Sequence, residues 1–552
     1  MTGQLRGAAA GLAGGALALL MAGTALAGPV EVVQIAGGKV QSVATDVAGV
    51  QVFKGLPYAG PAAGKARFAP PGPVVPWDGV KLADTWGDQV MQDVNLNPVG
   101  TFWGDEFYYD PEFLPPASEA GLNLNVFTPA RDTGDALPVY VWIHGGGNDH
   151  GYASEIEFWA PKLAAKGILV VPVQYRVGPF GFLTTPELDA EIDDGRSGNQ
   201  ALKDLIVALE WVRDNIAGFG GDPGTVTIGG QSAGASNTVA LLSSPPAKGL
   251  FGRAVIESTG PSLLPRNYPS IEDQQAANAA AIAEVFGGPR SLEELRAIPA
   301  AEFIDRKIGG KNLFYALDAP VSNYVIDGTF LTAESVDLLR PGALDGIDLM
   351  IGSTSDERTS TVGDPDGAMG PEEFAAAMSK VYGDGYADVY RASDPSHAYR
   401  LKLRAEADYR FASVLLSTQA AKARNSEGNV FAYYFNHAPP GRNAEFYGSY
   451  HSSDLWYFFN SIRDWDGQRP WTGADERMAE TMSSYLANFV KTGDPNGEGL
   501  PDWPQPEDGP AFMRFHDGLA LAAEATPWPE RDALNRKQML ADYGMTEASL
   551  AP

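Results

Sequence analysis

Residues 226–236 read VTIGGQSAGAS. Val226, Thr227 and Ile228 have the β-branched, apolar character of a buried strand. The strand runs into Gly229 and Gly230, then Gln231, Ser232, Ala233, Gly234 and Ala235. An ordinary strand exit needs one glycine, whereas this one keeps bulk away from a single serine on both sides. GQSAG at 230–234 is the only G-x-S-x-G in the chain. That pattern sets a serine on a sharp strand-to-helix turn, where crowded backbone tolerates only small neighbours. The hydroxyl then stands above the sheet, facing the N-terminus of a helix, which favours negative charge. Ser232 is therefore a candidate nucleophile, and the rest of the chain must supply its partners.

The surrounding pattern supports a parallel sheet. VYVWIH (139–144), ILVVPVQY (168–175), TVTIGG (225–230), AVIEST (254–259) and DLMIGS (348–353) are short apolar runs of the kind buried strands show. Between the second and third, Leu202, Leu205, Ile206, Leu209, Val212 and Ile216 recur with helical spacing, and Gly218 follows. Strand-helix-strand alternation predicts a mostly parallel sheet with helices on both faces. Residues 265–320 and 360–425 are helix-rich, and Ser291 with Glu294 has the form of a capping box. Both stretches are expected to be insertions roofing the sheet's carboxyl edge, within one domain spanning 28–552.

Composition bounds the function. The chain has 552 residues, 44% hydrophobic and 20% charged, with a formal net charge of −29. This suits a globular protein with a large core. Phosphate binding needs clustered Lys and Arg, so nucleic acid is not an expected partner. Residues 1–27 have the form of an export signal. Arg6 is their only charged side chain, GLAGGALALLMAG is too short to span a bilayer, and Ala25-Leu26-Ala27 offers a cleavage site before Gly28. No other segment is long and apolar enough to insert stably in a membrane. Export to the periplasm or the medium is expected. There is no cysteine, which excludes disulfides, thiolate metal sites and a cysteine nucleophile. The acidic loop ELDAEIDDGRSGN (187–199) lacks the ligand spacing of an EF-hand and is expected to be a solvated surface loop.

A serine nucleophile needs a base and donors for a developing oxyanion. HGGG at 144–147 follows a strand directly, and its three glycines let backbone N–H groups converge without side-chain obstruction. The base must come from six histidines: His144, His150, His397, His437, His451 and His516. Beyond the HGGG loop itself, His150 is the only other histidine near it in sequence.

With these residues in place, the chain resembles the type-B carboxylesterases, the α/β-hydrolase family that includes para-nitrobenzyl esterases and cholinesterases. The resemblance is carried by FKGLPYAGP (53–61), RFAPP (67–71), SEAGLNLNVFTP (118–129), YRVGPFGFL (175–183), FGGDPGTVTIGGQSAG (219–234) and YLANFVKTGDPN (485–496), in the family's order. It implies an α/β-hydrolase fold and a serine carboxylesterase acting on small-molecule esters without a cofactor or metal. In IGSTSDERT (351–359) the residues alone leave Asp356 and Glu357 both open as the acid, and the resemblance selects Glu357. In YGSYHSSDLWYFF (447–459) it selects His451 as the base. The implied triad is Ser232, Glu357 and His451, with the N–H groups of Gly146, Gly147 and Ala233 as the oxyanion hole. The same constellation attacks carbamates, amides and lactones, and some relatives are non-catalytic binding proteins that lack the serine.

The chain departs from the family in places. Val90 and Gly121 stand where relatives often carry a disulfide. Asn148 stands where many have an aromatic, and Arg358 where glycine is common. DPEFLPP (110–116) lacks the tryptophan of the choline-binding branch. The aromatic and acidic stretch 97–116 is open to two readings, the lining of a gorge mouth or packing beneath its roof.

Overall fold

A computed structural model describes residues 30–192, 195–321, 324–425, 427–462, 469–507 and 509–550. The export-signal segment 1–27 lies outside the described residues. Eleven strands form the main sheet: β1 (Val43–Ala44), β2 (Gln51–Pro57), β3 (Asn123–Thr128), β4 (Leu137–Ile143), β5 (Leu169–Val173), β6 (Gly221–Gln231), β7 (Arg253–Glu257), β8 (Asp348–Thr354), β9 (Val430–Phe435), β10 (Phe512–His516) and β11 (Leu519–Ala523). Their order is β11-β10-β9-β8-β7-β6-β4-β5-β3-β2-β1. Strands β4 to β10 run parallel, and antiparallel pairs close both edges. Each of the five apolar runs picked out by sequence lies in a parallel strand, as continuous apolar segments covered on both faces should.

The two faces are visible along β4. Val139, Val141 and Ile143 join one hydrophobic cluster, and Tyr140 and Trp142 join the other. The first cluster includes α1 (Gln200–Asn215), whose Leu202, Leu205, Ile206, Leu209 and Val212 are all buried. It also includes α2 (Ala233–Leu242), reached directly from β6. The second includes Met478, Met482, Tyr485 and Phe489 of the closing helix, Gly473–Thr492. That helix opens with a capping box between Thr472 and Asp475 and ends at Gly493 in the left-handed region. Each fully buried Leu or Phe contributes roughly 1.5–3 kcal/mol.

The segment 265–320 holds the helix α3 (Ile271–Phe286) and the helix Leu292–Ala297, which has the capping box expected of Ser291 and Glu294. It also holds a hairpin, Lys307–Ile308 with Lys311–Asn312, turned by Gly309 and Gly310 at φ 57° and 86°. The segment 360–425 contains the 30-residue helix α4 (Pro395–Arg424), started by Asp394, which accepts from the His397 N–H at 2.8 Å. α4 packs along β8 and β9, which brings its side chains to the end of β8. Among the described residues no helix is long and apolar enough to cross a membrane.

Candidate active site

The small residues around Ser232 have a geometric cause. Ser232 is the N-cap of α2 at φ 57°, ψ −119°, a sparsely populated conformation. Its N–H donates to the Glu257 carbonyl (2.9 Å), pinning it to the end of β7. A Cβ at Gly230 would lie 2.4 Å from the Gly234 backbone, and one at Gly234 would lie 2.0 Å from the Ile143 carbonyl. Only glycine fits at either place.

β4 ends one residue before the glycine loop. Gly146 and Gly147 have φ of 94° and 63°, and a Cβ at Gly146 would lie 2.2 Å from the His150 carbonyl. A Cβ at Gly145 would lie 3.3 Å from the Ser232 Cβ, so the loop runs directly past the serine. His144 anchors its base. The ring stacks on Tyr175 (4.3 Å), Nδ1 donates to the Gly145 carbonyl (2.9 Å), and Gln174 Nε2 donates to Nε2 (3.1 Å). Burial pushes its pKa down to about 3, so it is a neutral spacer. Among the described residues, the N–H groups of Gly146, Gly147 and Ala233 meet no protein acceptor. That leaves three donors free beside the hydroxyl.

Glu357 lies just beyond β8, fully buried. Its Oε1 accepts from the Thr354 N–H (3.0 Å), and its Oε2 accepts from Arg410 Nη1 (2.7 Å) and His451 Nδ1 (2.5 Å). Burial alone would raise its pKa, but the charges of Arg410 and His451 outweigh burial and hold it at about 2. An ionised carboxylate only accepts, so the Nδ1 of His451 carries the proton and Nε2 presents a lone pair. Gln231 Nε2 donates to that lone pair at 3.1 Å. Asp356 is turned elsewhere: Arg404 pairs with it, and the Ser449 N–H donates to it at 3.1 Å. The two neighbours that the residues alone left open are thus sorted by two arginines of α4.

Ser232, Gln231, His451, Gly146 and Gly147 line one cavity of about 300 Å³. Trp103, Phe107 and Tyr108 line it as well, while Phe113 is buried. The stretch 97–116 therefore takes both proposed roles. His150 lines the cavity and pairs with Asp149. The Asn148 side chain instead accepts from the Tyr175 hydroxyl (3.2 Å), and Arg358 pairs with Glu406 (2.8 Å). His437 bonds Asp475 (2.7 Å), and His397 stands half-buried at the start of α4. Val90 and Gly121 are neighbours, since a Cβ at Gly121 would lie 2.6 Å from the Val90 nitrogen.

Sequence reasoning missed Arg410, whose partner is 53 positions away. It also missed the buried acids behind Glu357 and His451. Burial pushes Asp454 up to about 7 and Glu257 well above the carboxylate range, the latter also raised by the charge of Asp454. The Asp454 carboxyl accepts from the Tyr433 hydroxyl (2.8 Å). Only the position of Asp454, three residues past His451, could have signalled it.

Comparison with known proteins places the chain in a family. A sequence profile described as the carboxylesterase family matches residues 29–520. The para-nitrobenzyl esterase of Bacillus subtilis (strain 168) is 31% identical over 520 residues, covering 92% of this chain and 98% of the relative. The cocaine esterase of Homo sapiens is 32% identical over 489 residues, covering 83% and 82%. The solved structure of a thermophilic PNB esterase superposes with a TM-score of 0.73 at 28% identity, covering 92% of this chain and 99% of that one. On its fold, its serine turn and this match along nearly its whole length, the chain belongs to the carboxylesterase family and is a carboxylic ester hydrolase.

Proposed function

We propose that Ser232, His451 and Glu357 are the nucleophile, base and acid of a serine carboxylesterase, with residues 28–552 acting as one catalytic unit. The observation that carries this is the 2.5 Å bond between His451 and an ionised Glu357, beside a cavity that also holds Ser232 and the glycine loop. His451 Nε2 takes the Ser232 proton as the oxygen attacks the ester carbonyl, then delivers it to the leaving alcohol. To do so the imidazole exchanges its contact with the Gln231 amide for one with the serine. Glu357 keeps the Nδ1–H tautomer and stabilises the transient imidazolium without taking the proton. The N–H groups of Gly146, Gly147 and Ala233 receive the oxyanion. Water then hydrolyses the acyl-enzyme by the same route.

Ser232→Ala should keep its fold by circular dichroism and lose turnover by ~10⁴-fold or more. An organophosphate should label Ser232 of the wild type, read by peptide mass spectrometry. Near-wild-type hydrolysis by the variant, or a label on another residue, would overturn the assignment.

The chain is also proposed to be exported, with cleavage after Ala27. The form of residues 1–27 and the start of the family match at residue 29 support this. A mature N-terminus at Gly28 in the periplasmic or culture fraction is the expected finding.

A further inference from the structure

One wall of the cavity has no part in the mechanism above. Glu155 and Glu157 line it and are 6% and 2% exposed. They lie two residues apart, and their carboxyls hydrogen-bond each other. Two carboxylates offer only acceptors, so such a bond exists only when one of them holds a proton. The proton sits on Glu157: burial, then the charge of Glu155 and the bond to it, hold that carboxyl well above the carboxylate range. Burial pushes Glu155 up as well, but the bond from Glu157, the Tyr152 N–H at 2.8 Å and the charge of His150 favour its ionised form. The other groups around the pair leave this balance in place. Tyr108, Tyr152 and Tyr175 are held neutral by burial. Glu106 has its own cation, Arg469, with Nε at 2.6 Å, and His150 pairs with Asp149. Among the described residues no Arg or Lys pairs with Glu155 or Glu157.

We infer that Glu155 and Glu157 hold one proton between them at neutral pH, that the wall therefore carries a single negative charge, and that this charge expels the carboxylate left by each hydrolysed ester. At neutral pH the acid released by ester hydrolysis is an anion, formed in the same cavity as the pair. A buried charge with no Arg or Lys beside it is weakly screened and repels that anion. The shared proton spares the fold a second buried charge. The expulsion rests on the hydrolytic role of Ser232; the shared proton does not.

Counting charges on the mature protein tests the proton. Glu155→Gln and Glu157→Gln each leave one carboxylate hydrogen-bonded to an amide, so neither should change electrophoretic mobility at neutral pH. The double variant should shift it by one charge, the step made by Glu302→Gln at an exposed position. A one-charge step in either single variant, or a double variant that moves by none or by two, would overturn the shared proton. If the double Gln variant does not fold, the double Leu variant, equally uncharged, takes its place, and the single variants already decide the proton. Inhibition of p-nitrophenyl acetate hydrolysis tests the expulsion. Benzoate should inhibit the double variant at ~10-fold lower concentration than the wild type, with the single variants like the wild type. Benzamide, its neutral counterpart, should inhibit all of them alike. Equal inhibition of wild type and double variant by benzoate, or the same gain for benzamide, would overturn the expulsion. The hydrolytic reading fails separately, if Ser232 takes no organophosphate and p-nitrophenyl acetate is not turned over; the charge count stands in either case.

Discussion

Gly234 shows how little freedom the serine turn has. It sits on the first turn of α2, where its Cα faces the carbonyls of Ile143 and His144. Gly234→Ala would place a methyl 2.0 Å from one and 2.5 Å from the other, so either β4 or the helix must move. A cost of about 3 kcal/mol is expected, read as a lower denaturation midpoint, with activity reduced because the glycine loop follows β4. Unchanged stability would mean that the turn is looser than its contacts imply. This requirement was legible in the sequence, because close approach of two backbones leaves glycine as the only choice. The choice between Asp356 and Glu357 was not. They are adjacent at the same strand end, and what separates them is which arginine of a distant helix each one meets.

At the level of elements, α4 does more than cover the sheet. It carries Arg404 to Asp356 and Arg410 to Glu357, fixing the loop beyond β8 from one side. Glu357 has a folded pKa of about 2 against an ordinary 4.5. Its ionised form therefore stabilises the fold at any pH above about 4.5, and that stabilisation is lost as pH falls through 2. In Arg410→Met the carboxylate keeps its N–H donors but loses the cation, so its folded pKa rises. Stability at neutral pH should fall by about 3 kcal/mol, and acid unfolding should begin at higher pH than in wild type. A pH-stability curve matching wild type would show that Arg410 does not hold the acid. The parallel strands were legible as continuous apolar runs. The antiparallel β2 and β3 were not, because Lys54, Asn123 and Asn125 break the pattern. Asn125 is buried there for a local reason, accepting from the Gly55 N–H (2.9 Å) and donating to the Ala153 carbonyl (3.2 Å).

Across the whole molecule, the two hydrophobic clusters on either face of one large sheet do the work that a cross-link does in some relatives. With no cysteine anywhere, the melting temperature of this protein should be the same with and without a thiol reductant. A shift would reveal a reductant effect unrelated to cross-links. The absence of a bridge at Val90 and Gly121 was legible from residue types alone, but their adjacency was not. The cavity was legible only in part. Its serine and glycine loop announce themselves by motif, whereas Trp103, Glu157 and Leu455 reach it from segments that carry no local mark of a shared destination.

The left-handed backbone at Ser232 has a consequence for the lifetime of the enzyme. A residue held in such a conformation costs on the order of 1 kcal/mol, which glycine would not incur. Ser232→Gly should therefore survive heating longer than the wild type while hydrolysing nothing, and a scanning calorimeter would show its transition at higher temperature. Endurance and chemistry are set against each other at one peptide unit. A library screened for heat resistance alone would drift toward inert protein, so any effort to harden this catalyst has to score turnover in the same round.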